Sequence, residues 1–326
     1  MRLPGEVTAY AMAATPFHEN GAVDLDSYAQ LLDRLCRANI GVYLGSGGAG
    51  EGHALTPAEL RDLYRVGVAT CKGRVPVAAN PREPRTAGQM LELATAAAEA
   101  GVDIVQLYSL DAGHGMKPTP AELERYYTFL LDRLDYPIAI SVHAGYPYYV
   151  PPAFVASICS RYPQVQNVNV IMPMAYYLEL SEELSRIGRP ARLYTSVLTM
   201  VEGLLAGSYG CQAAEPNLIP FTFRRLVDSI LTGDVATASR LYPFVYDVAR
   251  TVQRWAPSTA RWLKMGMSVL NLPGGNGGLR EPYVLPGQDD LDEMAGAFNR
   301  LQVADMEAES EAALASSPRS PAARST

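Results

Sequence analysis

Along the first two thirds of the chain two rhythms alternate. Short apolar runs, rich in Val, Ile and Ala, read as strands buried on both faces. Between them lie longer stretches whose apolar residues recur at helical spacing. Strands are predicted at Val7–Ala14, Gly41–Leu44, Val75–Ala79, Ile104–Tyr108, Ile138–His143, Val165–Val170, Arg192–Ser196 and Gly210–Ala214. Helices are predicted at Leu25–Ala38, Thr56–Ala69, Thr86–Ala100, Thr119–Leu134, Pro152–Arg161, Tyr177–Ile187 and Met200–Ala206. Thr56-Pro-Ala-Glu59 is a capping box, and Pro120 suits a first helical turn.

Repeated strand-then-helix units predict an α/β chain closed into a (β/α)8 TIM barrel. An open doubly wound sheet usually carries a glycine-rich first turn, and no GxGxxG follows the first strand. The division expected is residues 1–220 for the barrel and 221–302 for a C-terminal helical extension, with Pro220 to Leu301 helical throughout. Residues 303–326, rich in Ala, Ser, Glu and Pro, are expected to form a disordered tail.

Composition narrows the function. With 326 residues and 48% hydrophobic positions the chain can bury a full core. A net charge of −7 leaves no basic surplus for phosphates, so no nucleic-acid partner is expected. No apolar run spans a bilayer, so no membrane partner is expected either. Cys36, Cys71, Cys159 and Cys211 are scattered without a CxxC, which suggests neither a zinc site nor a disulfide framework. The expected compartment is a reducing cytoplasm. Lys72, Lys117 and Lys264 are the only lysines, so lysine chemistry has three candidate carriers.

Several fragments, in order, resemble the dihydrodipicolinate synthase and N-acetylneuraminate lyase family of (β/α)8 barrels. They are Thr15-Pro16-Phe17 with Asn20-Gly21 and Val23-Asp24, then Gly47-Gly48-Ala49-Gly50-Glu51 with Leu55-Thr56 and Glu59. Arg74-Val75-Pro76-Val77, Ala100-Gly101-Val102-Asp103, Lys117-Pro118-Thr119 and Leu279-Arg280-Glu281-Pro282 follow. The resemblance covers roughly residues 5–302. It implies a lyase or aldolase barrel and a homodimer or homotetramer. It also implies a 2-oxo acid held as an imine on a strand-six lysine, a strand-five proton-shuttling tyrosine and two carboxylate-binding threonines.

At those positions this chain departs. The lysine position falls on Asn169 when aligned from Pro163 and on Val170 when aligned back from the next strand, and neither side chain can form an imine. Ser141 replaces the tyrosine, and Gly48 and Ala49 replace the threonines. His143, two residues beyond Ser141, shares its inward face nearer the catalytic rim. His53 and His114 are further rim candidates. Tyr146 lies where the family carries a carboxylate-gripping arginine, which disfavours a dicarboxylic substrate. The expected catalytic residues are therefore His143, Asn169, His53 and His114. Ser46, Gly48, Ala49, Glu51, Tyr108, Asp111, Ser141, Tyr146 and Glu215 are the expected substrate contacts. Neither a cofactor nor a metal is expected.

The function expected is acid–base lyase, dehydratase or cyclase chemistry on a non-pyruvate, less charged small molecule, without an imine. Two other readings stay open. One is a metal-assisted aldolase using Glu51, His53, Asp111, His114 and His143. The other is an inactive family member that serves as a binding or scaffold protein.

Overall fold

The structure, a computed structural model, describes residues 6–188, 191–255 and 258–316. Eight parallel strands close in sequence order: β1 Ala9–Met12, β2 Gly41–Leu44, β3 Val77–Ala79, β4 Ile104–Leu107, β5 Ile138–His143, β6 Val165–Ile171, β7 Arg192–Ser196 and β8 Gly210–Ala213. Pairing of Tyr10 with Gln212 and of Ala11 with Ala213 shuts the barrel. Helices α1 Leu25–Arg37, α2 Pro57–Cys71, α3 Ala87–Glu99, α4 Pro120–Leu131, α5 Pro152–Arg161, α6 Met174–Arg186, α7 Met200–Leu205 and α8 Pro220–Thr232 follow the strands in turn. The starts of α2 and α4 have the expected cause. Thr56 and Thr119 accept from the backbone N–H of Glu59 and Glu122, and each Glu side chain returns the bond.

Outward strand residues pack on the helices. At Gly67 the approach of α2 to β2 is so close that a Cβ would lie 2.2 Å from Leu44 Cδ1. The inward face is unusual for its polarity. Tyr10 meets Tyr43 at a tilt and Tyr194 edge to face, with ring centroids 5.5 and 5.4 Å away. Asn169 Nδ2 donates to Tyr43 Oη at 3.0 Å and also to Gln106 Oε1. Gln106 Nε2 donates to Asn80 Oδ1 at 2.8 Å. This ladder pairs amides that would be costly to bury alone.

The C-terminal third departs from expectation in three ways. Helix α8 is the eighth barrel helix, so the barrel continues past residue 220. Helices α9 Val235–Val252, α10 Thr259–Val269, α11 Gln288–Arg300 and α12 Val303–Ser316 lie outside it. The stretch from Pro220 to Leu301 is not continuously helical: residues 270–287 form a loop rich in Gly and Pro. Gly277 packs against the backbone of Phe17, where a Cβ would lie 1.4 Å from the carbonyl oxygen. From the same loop Arg280 donates to Gly21 O and Ala54 O, each at 2.7 Å, and to both oxygens of Glu59.

The expected tail is the third correction, since residues 303–316 are helical. Ile219 precedes α8 and has no side chain able to cap it. Glu307 of α12 takes that role, accepting from Phe221 N at 3.0 Å, Thr222 N at 2.9 Å and Thr222 Oγ1 at 2.7 Å. Arg34 completes the contact at 3.2 Å. The helix docks through the buried Glu307 and Ser310 together with Val303, Met306 and Leu314, and a buried Glu in the middle of that face masks its periodicity. Residues 317–326 lie outside the described residues.

Candidate active site

A cavity of about 590 Å³ opens at the C-terminal ends of the strands. Every strand end contributes: Met12, Ser46, Asn80, Tyr108, His143, Ile171, Ser196 and Gln212 each reach it. In barrels of this architecture that face carries the chemistry, because its loops vary while the barrel stays rigid. Thr259 and Trp262 of α10 wall the remaining side.

His143 ends β5, directly beside Ile171 in register, while Ser141 lies beside Asn169 one pleat below. Strand parity therefore carries His143 to the mouth and leaves Ser141 fully buried. The imidazole Nδ1 accepts from the backbone N–H of Gly145 at 2.7 Å. A neutral ring bonded in this way keeps its proton on Nε2, which is then a donor. Desolvation in the mouth lowers the His143 pKa, favouring that neutral form.

Glu215 follows β8, lines the same cavity and is buried. Burial raises its pKa, partly opposed by backbone hydrogen bonds from Glu215 and Ala214. A carboxyl so placed is a stronger base than a solvated one. Tyr108 and Tyr146 meet edge to face at 6.5 Å, and Tyr146 stacks on Tyr148 at 5.7 Å. Ser46, Gly48, Ala49 and Asp111 also line the cavity, and Arg85 Nε lies 3.4 Å from the Asp111 carboxylate.

The remaining candidates lie elsewhere. Asn169 is buried in the barrel interior, committed to Tyr43 and Gln106, and does not line the cavity. Glu51 sits in the left-handed region with φ 51° and pairs with Lys264. That turn sends His53 outward, where Nδ1 bonds Gly47 O at 2.9 Å and the ring contacts Tyr283. His114 is exposed on a tight turn with φ 53°. Neither histidine lines the cavity. Among the described residues no group of three His, Cys, Asp or Glu is placed to hold a metal ion.

Among the lining residues that the sequence reading missed are Glu83, Gln212 and Trp262. Glu83 had a signal, since it stands in the proline-flanked run Asn80-Pro-Arg-Glu83-Pro just past β3. Gln212 had another, a polar residue inside a short buried strand. Trp262 sits on an outer helix and had none.

Residues 7–169, half of the chain, match the Dihydrodipicolinate synthetase family. The chain belongs to that family, one of lyases and aldolases. A relative from Acidovorax ebreus (strain TPSY), named as a probable 5-dehydro-4-deoxyglucarate dehydratase, is 26% identical over 88% of this chain and 93% of its own length. A 4-hydroxy-tetrahydrodipicolinate synthase of Nitratidesulfovibrio vulgaris (strain DSM 19637 / Miyazaki F) is 27% identical over 74% of this chain and 80% of its own. Among solved structures, YagE, a prophage protein of the family from E. coli K12 in complex with pyruvate, superposes with a TM-score of 0.83. It is 20% identical over 91% of this chain and 99% of its own. No helix among the described residues is long and apolar enough to cross a membrane.

Proposed function

We propose that this family member is a dehydratase-type lyase that works by acid–base catalysis without a lysine imine. The observation that carries the reading is the cavity lining. It holds a buried carboxyl, Glu215, and an imidazole locked as a donor, His143, and it holds no lysine. Lys72 is committed to Gly101 O at 2.6 Å, Lys117 is exposed, and Lys264 is sealed beneath the loop with Glu51. The dehydratase named among the relatives, matched over nearly its whole length, favours loss of water over carbon–carbon cleavage.

In the proposed step Glu215 removes a proton from the carbon next to a carbonyl, and the electron pair forms a carbon–carbon double bond. His143 Nε2–H donates to the carbonyl oxygen as negative charge gathers there, a role suited to a neutral imidazole of lowered pKa. The carbonyl then re-forms, the enolate's carbon–carbon pair shifts to the α–β bond as the C–O bond to a β-hydroxyl breaks, and the proton held by Glu215 passes to the departing oxygen, releasing water. Protons and electrons balance without a co-reactant.

The test is incubation with pyruvate and borohydride, followed by intact mass. The expected result is no adduct. A mass gain mapped to any of the three lysines overturns the imine-free reading.

A further inference from the structure

The cavity is charged in the sense opposite to that needed for an anionic substrate. Glu83, Asp111 and Glu215 line it, and no lysine or arginine does. Asp111 has Arg85 beside it and Glu215 is held by burial and backbone N–H groups. Glu83 has no ion-pair partner among the described residues. Its carboxylate lies against Gly47, where a Cβ would come within 2.6 Å of Oε2. The chain thus sets a carboxylate of its own on the glycine-rich turn. Tyr108 and Tyr146 line the same cavity as Glu83.

A second observation points to a ligand. Gln212 is 2% exposed and lines the cavity, and neither its Nε2 nor its Oε1 has a hydrogen-bond partner. The buried Tyr146 hydroxyl is also unpartnered. Buried polar atoms left open are costly unless something completes them. Gln212 offers an amide NH2 donor and a carbonyl acceptor, which suit a hydroxyl or carbonyl group. A cavity lined by a carboxylate and by Tyr108 and Tyr146 suits a cation, through charge and through the ring quadrupole.

We propose that this site takes a small hydroxylated substrate carrying a protonated amine, with the ammonium on Glu83 and a hydroxyl or carbonyl on Gln212. The proposal rests on the imine-free reading of the same cavity and supplies its substrate class. Such a preference departs from the dicarboxylate named for the dehydratase relative.

Calorimetric titration with three matched six-carbon probes tests it: 1-amino-1-deoxy-D-sorbitol, D-sorbitol and D-glucarate. The amine should bind at least about tenfold more tightly than the neutral polyol, a difference of about 1.4 kcal/mol, and glucarate should not bind. Glu83→Gln should erase the preference for the amine. On the native protein, raising ionic strength should weaken amine binding more than polyol binding, a readout that needs no variant. Tighter binding of glucarate, equal affinity for amine and polyol, a preference that survives Glu83→Gln, or silence from all three probes overturns the proposal. A pyruvate adduct on lysine would instead sink the imine-free reading, and the binding order is measured independently of it.

Discussion

Lys264 of α10 and Glu51 of the glycine-rich loop form an ion pair with both side chains essentially sealed from solvent. The ammonium also sits 4.0 Å from the centroid of Phe17. Desolvation lowers the Lys264 pKa and the Glu51 charge opposes that fall. One face of α10 presents Thr259 and Trp262 to the cavity while Lys264 holds the loop that bears Gly48 and Ala49. The pair therefore couples two walls of the site.

Breaking that pair on one side leaves a buried charge uncompensated. Lys264→Met and Glu51→Gln should each cost about 3–5 kcal/mol, and the double variant should cost less than their sum. Denaturant unfolding of the three variants measures this. Additive losses would mean the two side chains do not depend on each other.

Glu59 and Arg280 give the protein an acid-sensitive clamp. Hydrogen bonding from Arg280 holds the Glu59 pKa down at about 2, against an ordinary 4.5, with burial opposing. A carboxyl depressed in the folded state contributes stability that is present above its unfolded pKa and lost as pH falls through the folded value. The contribution, on the order of 1–3 kcal/mol after allowance for partial exposure, should therefore fade between pH 4.5 and about 2. Glu59→Gln should flatten the melting temperature against pH across that window. A variant as acid-sensitive there as the native protein contradicts the assignment.

The barrel was legible because its strands are short apolar runs set between helices with periodic faces and capping residues. Ile138–His143 and Arg192–Ser196 begin and end where the pattern predicts. Parity from Ser141 placed His143 at the mouth, since alternation along a strand is a rigid rule. Loops follow no such rule. Nothing in residues 51–53 shows that Glu51 takes a left-handed conformation and turns His53 away. Asn169 could be located on β6, but its commitment to Gln106 depends on a residue 63 positions away. Helix α12 was hidden because the middle of its docking face is Glu307 and Ser310, with apolar contacts only at Val303, Met306 and Leu314.

That docking has a measurable consequence. Removing the chain after Leu301 strips the Glu307 cap from α8 and leaves Arg34, itself largely buried, without its carboxylate. Loss of a cap and exposure of unsatisfied N–H groups cost roughly 1–3 kcal/mol. In a chain of this size that is a fall of several degrees in melting temperature. Glu307→Ala should reproduce most of it. Calorimetry on the three proteins decides, and a truncation at Leu301 that melts like the full chain would show that α12 contributes nothing.

His143 and Glu215 should separate by the kind of replacement each tolerates. With Nδ1 accepting from Gly145, His143 can serve as a donor through Nε2 and not as a base. Its C2 proton should titrate in NMR below 6.5, the direction set by desolvation. His143→Ala should lower turnover of the substrate by about 10²–10⁴-fold with the melting temperature nearly unchanged. His143→Gln should recover a substantial part of that loss, because an amide N–H can donate from a similar reach. Glu215→Gln should recover nothing relative to Glu215→Ala, because an amide cannot accept the proton. The native rate should climb with pH through a carboxyl pKa above 4.5, and that limb should vanish in Glu215→Gln. If His143→Gln is as inactive as His143→Ala while Glu215→Gln stays active, the imidazole is the base and the two roles are exchanged.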